Sequence, residues 1–153
     1  MTPPPTPRLD RVIRAIASFA YVGYFPIASA TLASAVTAIL AWYFPWPLVI
    51  PIMALSLSGF LICKPAQNAF GAADPQAFVL DEVCGMLLSV LWLPKILWIY
   101  GLAFLLFRFF DVLKPWPIRL IQESKSPSSI LWDDLLAGTF TNIILQIVLR
   151  FYV

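Results

Sequence analysis

Apolar residues run along this chain in long unbroken blocks separated by short polar stretches, with no useful length of alternation between apolar and polar positions. That pattern excludes strands and predicts an all-α chain of four to six helices. Residues 1–7, Met-Thr-Pro-Pro-Pro-Thr-Pro, form a proline-rich tail that cannot join a helix, so a single domain is expected over residues 8–153. Arg8, Arg11 and Arg14 recur at every third position beside Val12, Ile13, Ile16 and Phe19, which predicts a short amphipathic helix. Such a helix suits a membrane surface, with its arginines marking the cytoplasmic side. Ala28-Ser29-Ala30 resembles a signal-peptide cleavage site, but the apolar run continues far beyond it, which argues against a cleaved leader.

No charge occurs between Arg14 and Lys64. Pro45-Trp46-Pro47 divides this stretch into segments 27–44 and 48–62, the first about long enough to span hydrocarbon and the second short. A helical hairpin is expected, with Trp42, Tyr43 and Trp46 at the headgroup level. Residues 63–82 read as a polar connection and then a helix start, in which Asp74 is the N-cap and Pro75 the first helical residue. Asp81 and Glu82 would then lie two turns into that helix. The apolar run 83–107 would reach about 37 Å if unbroken, but Pro94-Lys95 interrupts it. Residues 108–134 are polar, and a last apolar segment, 135–149, is roughly 15 residues and short for a span.

Composition turns this pattern into a membrane protein. The 153 residues are 61% hydrophobic and their mean hydropathy is +0.86, far above a soluble domain and incompatible with disorder. A net charge of +2 is too small to neutralise a run of phosphates, so nucleic acid is not an expected partner. Histidine is absent, which removes general-base triads, phosphohistidine intermediates and the usual zinc sites. Cys63 and Cys84, far apart in apolar sequence, read as buried small hydrophobes.

The acids carry the chemistry. There are eight, and all but Asp10 and Glu123 fall in short clusters: Asp74 to Glu82, Asp111, and Asp133-Asp134. Ionisable groups beside hydrocarbon are costly and mark function. On a helix, Arg108, Asp111 and Lys114 project from one side, with Pro115 ending the helix, so two cations flank a carboxylate. That suits a phosphate held by Arg108 and Lys114 beside a metal held by Asp111. An i, i+3 salt-bridge ladder is the alternative. Asp81-Glu82-Val83-Cys84-Gly85 and Asp133-Asp134-Leu135-Leu136-Ala137-Gly138 share a pattern in which each glycine admits a neighbouring helix one turn from the acid. Adjacent acids repel and call for a cation, and an oxygen-only donor set beside phosphate points to Mg²⁺. Other phosphate chemistries fail. Six positions after Cys63 and Cys84 stand Ala69 and Val90 rather than Arg, no Asp-x-Asp occurs, and there is no Walker loop. Metal-assisted attack by water remains.

In this order the three clusters resemble the phosphatidylglycerophosphatase A family, over about residues 20–140. The Phe107-Arg108-x-Phe110-Asp111-x-x-Lys114-Pro115-x-Pro117 element is the most specific, supported by Asp81-Glu82-x-x-Gly85 and Asp133-Asp134-x-x-Ala137-Gly138. The resemblance implies a compact membrane-embedded helical bundle of the bacterial cytoplasmic (inner) membrane. It implies Mg²⁺-dependent hydrolysis of phosphatidylglycerol phosphate to phosphatidylglycerol and inorganic phosphate, with membrane lipids as surroundings. Asp81, Glu82, Asp111, Asp133 and Asp134 are the expected metal-binding and water-orienting residues, Arg108 and Lys114 the phosphate ligands, and Thr31, Asp74 and Arg119 further candidates.

The family's amino-terminal motif is matched by Pro26, Ala28, Thr31 and Ser34, whereas Ser29, Ala30 and Ala33 stand in place of Pro, Gly and Gly. Losing two glycines argues against a backbone phosphate cradle there. If residues 83–107 crossed the membrane once, Asp111 and Asp133 would lie on the face opposite Asp81. One site therefore requires a turn at Pro94-Lys95. Two other classes fit the same residues: an ion-coupled transporter or channel subunit with a carboxylate cation site, and a non-catalytic family member.

Overall fold

The computed structural model describes residues 7–44, 47–71, 75–116, 118–119 and 128–152. Among them there is no strand. The order is α1 (Pro7–Ala17), a 3₁₀ turn (Val22–Tyr24), α2 (Ser29–Tyr43), α3 (Val49–Phe70), α4 (Leu80–Ser89), α5 (Leu97–Leu113) and α6 (Ser129–Tyr152). Residues 1–6 of the expected amino-terminal tail, Trp46, Asp74, Pro117 and Glu123 lie outside the described residues, whereas Pro7, expected in the tail, opens α1, a place where a proline's missing N–H costs no helical hydrogen bond.

Helix α4 is the axle of the bundle. Leu80, Asp81, Val83 to Leu87 and Ser89 are all buried, and α2, α3, α5 and α6 pack around it. Each fully buried Leu, Val or Met contributes about 1.5–3 kcal/mol, so this short helix is held by its neighbours rather than by its own propensity. The closest packing is against α6. A methyl group on Gly85 would sit 2.6 Å from the Asp134 carbonyl oxygen, and one on Gly138 would collide with the Gly85 carbonyl. The two glycines thus cross backbone to backbone, which is the packing that their spacing from Asp81 and Asp134 predicts.

The predicted break at Pro94-Lys95 is present, between α4 and α5. Lys95 acts structurally, because its ammonium donates to the carbonyl of Trp42 at 3.0 Å and to that of Phe44, capping the end of α2. Asn142 on α6 likewise donates to the Ser89 and Leu91 carbonyls where α4 ends.

Other boundaries differ from expectation. Helix α3 runs through Lys64-Pro65 to Phe70, where Gly71, at φ 74°, closes it by donating to the Gln67 carbonyl at 2.9 Å. A single internal proline removes one hydrogen bond, and a helix packed on α1, α4 and α6 tolerates that loss. The α2–α3 hairpin is not a packed pair, because α4 lies against both helices. Pro75 is not helical. Its carbonyl accepts from Phe78, and Val79 donates to the Ala17 carbonyl, so residues 75–79 form a turn tied to α1. Asp81 and Glu82 consequently sit in the first turn of α4. The last helix has 24 residues rather than roughly 15, and it includes Asp133 and Asp134.

Helices α3 and α6 are long and apolar enough to cross a membrane. Ile50, Met53, Leu57 and Leu61 form an exposed apolar row along α3, and Ile143, Ile147 and Phe151 form one along α6. Rows of this kind suit lipid. Helix α1 packs its Ile13 and Ala17 inward and leaves Leu9, Val12 and Ile16 exposed. The Arg14 guanidinium joins α1 to the end of α3, over the Phe70 ring and against the Ala69 carbonyl.

Candidate active site

The first turns of α2, α4 and α6 and the last turns of α3 and α5 meet at one end of the bundle. Between them lies a cavity of about 960 Å³. Its walls include Thr31, Asp81, Glu82, Arg108, Asp111, Lys114, Asp133 and Asp134, so every first-rank residue expected from the sequence faces one space. Arg119 does not line it. Residues that sequence reasoning missed also do, notably Gln67, Gln76 and Ser129. Gln67 lies on the part of α3 beyond Lys64-Pro65, where the sequence suggests a loop. The Gln76 carbonyl accepts from the Ser29 hydroxyl at 3.0 Å and ties the 75–79 turn to the start of α2.

Two of the five acids have a basic partner. Lys114 ends α5 in the left-handed conformation, at φ 44°, with Pro115 behind it. That geometry sends its ammonium to Asp133 on α6. Arg108 pairs with Asp111 one turn along α5, so the ladder expected as the alternative for this segment is present in part. Burial works against the Lys114 charge, but the hydrogen bond and charge of Asp133, with Asp134 and Asp111 behind, hold its pKa above the ordinary lysine value.

Asp81, Glu82 and Asp134 form no ion pair among the described residues. One carboxylate oxygen from each lies within 4.8 Å of the others. Oε2 of Glu82 and Oδ2 of Asp134 are buried without a hydrogen-bond partner. Burial pushes the Asp81 carboxyl well above the usual range, and the charges of Glu82 and Asp134 add to the rise. Glu82 is raised too, mainly by burial. Buried, orphaned carboxylate oxygens set close together are costly unless a cation meets them. Three hard oxygen donors on two helices fit a divalent ion such as Mg²⁺ or Mn²⁺. The other nucleophile in the neighbourhood is inert: burial pushes the Cys84 thiol up to about 12, and Cys84 is fully buried.

An all-helical protein with two helices able to cross a membrane, and with a cavity walled by a carboxylate triad and two basic side chains, is in the class of helical proteins whose site could hold a metal ion beside an anionic group. The particular family follows from comparison with known proteins. The phosphatidylglycerophosphatase A family profile matches residues 15–149, and the chain belongs to that family. It is 32% identical over 126 residues to phosphatidylglycerophosphatase A of Escherichia coli, covering 78% of this chain and 73% of that protein. With phosphatidylglycerophosphatase A of Haemophilus influenzae it is 37% identical over 90 residues, covering 58% of this chain and 55% of that protein. A Bacteroides thetaiotaomicron protein provisionally named phosphatidylinositol-3-phosphatase is 28% identical over 138 residues, covering 82% of this chain and 86% of that protein. No solved structure matches the chain.

Proposed function

We propose that this protein is a phosphatidylglycerophosphatase that hydrolyses phosphatidylglycerol phosphate to phosphatidylglycerol and inorganic phosphate, with Mg²⁺, at the cytoplasmic face of the bacterial inner membrane. The observation that carries this reading is the triad of buried Asp81 and Asp134 with half-buried Glu82, in which Glu82 and Asp134 each have an orphaned oxygen, in the cavity that also holds Arg108 and Lys114. Family membership supports the same activity.

In this reading Asp81, Glu82 and Asp134 hold the ion, with Asp111 and Asp133 able to join them. When bound, Mg²⁺ supplies Lewis-acid polarisation of the phosphoryl group and neutralises charge. Arg108 and Lys114 bind the phosphate oxygens, and their ion pairs with Asp111 and Asp133 keep both side chains turned into the cavity. Thr31 contributes a hydroxyl from the first turn of α2. A site carboxylate aligns water and takes its proton. The water oxygen bonds to phosphorus, the bond from phosphorus to the glycerol oxygen breaks, and that oxygen leaves protonated as the free alcohol. Apolar rows on the outer helix faces suit the acyl chains, which would place the phosphate at headgroup depth.

The test is phosphate release by purified protein from phosphatidylglycerol phosphate and from phosphatidylinositol 3-phosphate, each with Mg²⁺ or with chelator. Release from the glycerol lipid that needs Mg²⁺ is expected. Release confined to the inositol lipid would reassign the substrate. Cation uptake into vesicles with no phosphate release would replace the reading by an ion-coupled one.

A further inference from the structure

The cavity is charged inside but apolar along part of its rim. Gly23 to Pro26 and then Ala28 line it, and within this stretch Phe25 is 53% exposed and Ile27, between two lining residues, is 74% exposed. Tyr24 is exposed beside them. An apolar lip therefore adjoins the space that holds Arg108, Lys114 and the carboxylates.

The backbone holds this lip outward against strain. Phe19, Ala20 and Tyr21 before it and Ala28 within it all have left-handed angles, with φ between 47° and 70°, which non-glycine residues adopt only against steric resistance. Strain of this kind gathers where function requires a fixed display. Several contacts pin the segment. Gly23 lies so close to Ala77 that a methyl group on it would sit 2.2 Å from the Ala77 carbonyl oxygen. The Phe25 amide donates to the Val22 carbonyl at 3.1 Å, and the Ser29 hydroxyl ties the far end to the Gln76 carbonyl. Large apolar side chains gain by leaving water, yet this turn keeps Phe25 and Ile27 out.

The depth of the lip identifies what covers it. The Tyr24 ring lies 6.2 Å from that of Phe70, the last residue of α3, and α3 is long and apolar enough to cross a membrane. The lip thus stands where a crossing helix leaves hydrocarbon, the level at which aromatic side chains meet lipid headgroups. A ligand that fills both parts is an amphiphile, with a phosphate for Arg108 and Lys114 and hydrocarbon for the lip. Inorganic phosphate or a sugar phosphate would leave Phe25 and Ile27 in water.

We propose that Phe25 and Ile27 select lipid over water-soluble phosphomonoesters, by packing against the glycerol backbone and first acyl carbons of a phospholipid whose terminal phosphate occupies the cavity. The inference rests on the phosphatase reading above and adds to it which residues recognise the lipid part. Both residues act on binding and touch no reacting atom. Their removal should raise KM and leave kcat in place.

The experiment uses the full chain in detergent micelles, with Phe25→Ser, Ile27→Ser and the conservative Phe25→Leu beside the unaltered protein. Leu97→Ser, at the start of α5 and away from the cavity, controls for loss of an exposed apolar side chain. Once thermal melting shows each protein folded, kcat and KM are measured for phosphatidylglycerol phosphate, together with inhibition by inorganic phosphate. Retention of the radiolabelled lipid by immobilised protein is measured in chelator. Each serine variant is expected to raise KM and the lipid concentration for half-retention about tenfold, with kcat and phosphate inhibition unchanged. Phe25→Leu and Leu97→Ser should match the unaltered chain. Unchanged KM and retention in both serine variants would overturn the lip. So would a loss of phosphate inhibition equal to the rise in KM, because the residues would then shape the cavity instead of meeting the lipid. Weakened retention in both serine variants, with no phosphate release by the unaltered chain, would sustain the lip and remove the phosphatase reading. Neither release nor retention by the unaltered chain would overturn both.

Discussion

Phe19, Ala20 and Tyr21 all have positive φ, at 47°, 52° and 70°. Three successive non-glycine residues in the left-handed region cost about 1–2 kcal/mol each. Their neighbours hold them there. The buried Ser18 hydroxyl accepts from the Tyr21 amide at 3.1 Å, and Gly23 donates to the Ser18 carbonyl at 2.9 Å. This turn delivers Gly23 to the cavity wall, against the Ala77 backbone. Ala20→Gly should therefore stabilise the protein by about 1 kcal/mol, read as a raised thermal midpoint. Lys114→Met should act the other way. It strands Asp133 in a buried position and should cost about 2 kcal/mol in chemical unfolding, besides weakening phosphate binding. The triad gives a pH dependence whose sign is fixed by the raised Asp81 and Glu82 carboxyls. Their contribution to stability is fully present below the ordinary carboxylate range and is lost as pH rises through their raised values. With chelator, the melting temperature should fall as pH is raised from about 5 to about 8. Added Mg²⁺ should restore more of it at the upper end, where protons no longer compete for the carboxylates.

At the scale of elements, the α4–α6 crossing sets the distance between the two halves of the triad. Gly138→Ala drives a methyl into the Gly85 carbonyl. It should cost about 1–3 kcal/mol and lower Mg²⁺ affinity as well, because Asp134 moves away from Asp81 and Glu82. Loss of stability with unchanged metal affinity would show that the crossing does not set the triad. This crossing was legible in the sequence, since Asp81 with Gly85 and Asp134 with Gly138 each place an acid one turn from a small contact residue. The α4–α5 turn was legible for a different reason, because only a reversal at Pro94 brings Asp111 to the side of Asp81. What was not legible depended on tertiary partners. Pro65 reads as a break until α1, α4 and α6 are seen to hold α3 together around it. Pro75 reads as a helix start, but hydrogen bonds from Phe78 to Pro75 and from Val79 to Ala17 make the segment a turn. Pairing Lys114 with Asp133 requires knowing how α5 ends against α6, which no local spacing reveals.

The whole molecule gathers its charged cavity at one end of the bundle, where α2, α4 and α6 begin, and its Lys95 cap at the other. Trp116, 78% exposed, lies just past Lys114 at the cavity end, and Leu97, 76% exposed, starts α5 at the far end. Cys63 and Cys84 are buried and should stay silent toward an impermeant thiol reagent. Trp116→Cys should therefore label from the same side of the membrane as Arg8→Cys, the cytoplasmic side in the proposed orientation. Labelling of these two positions from opposite sides would contradict a single cytoplasmic site. The central claim is that the buried carboxylates shared between α4 and α6 hold the metal on which hydrolysis depends. Its most direct measurement is phosphate release from phosphatidylglycerol phosphate in Mg²⁺ by Asp134→Asn protein beside the unaltered chain, with both shown to be folded. The account predicts a loss of about a hundredfold or more, comparable with removing a metal ligand or an element of transition-state stabilisation. Undiminished release by the Asp134→Asn protein would contradict it.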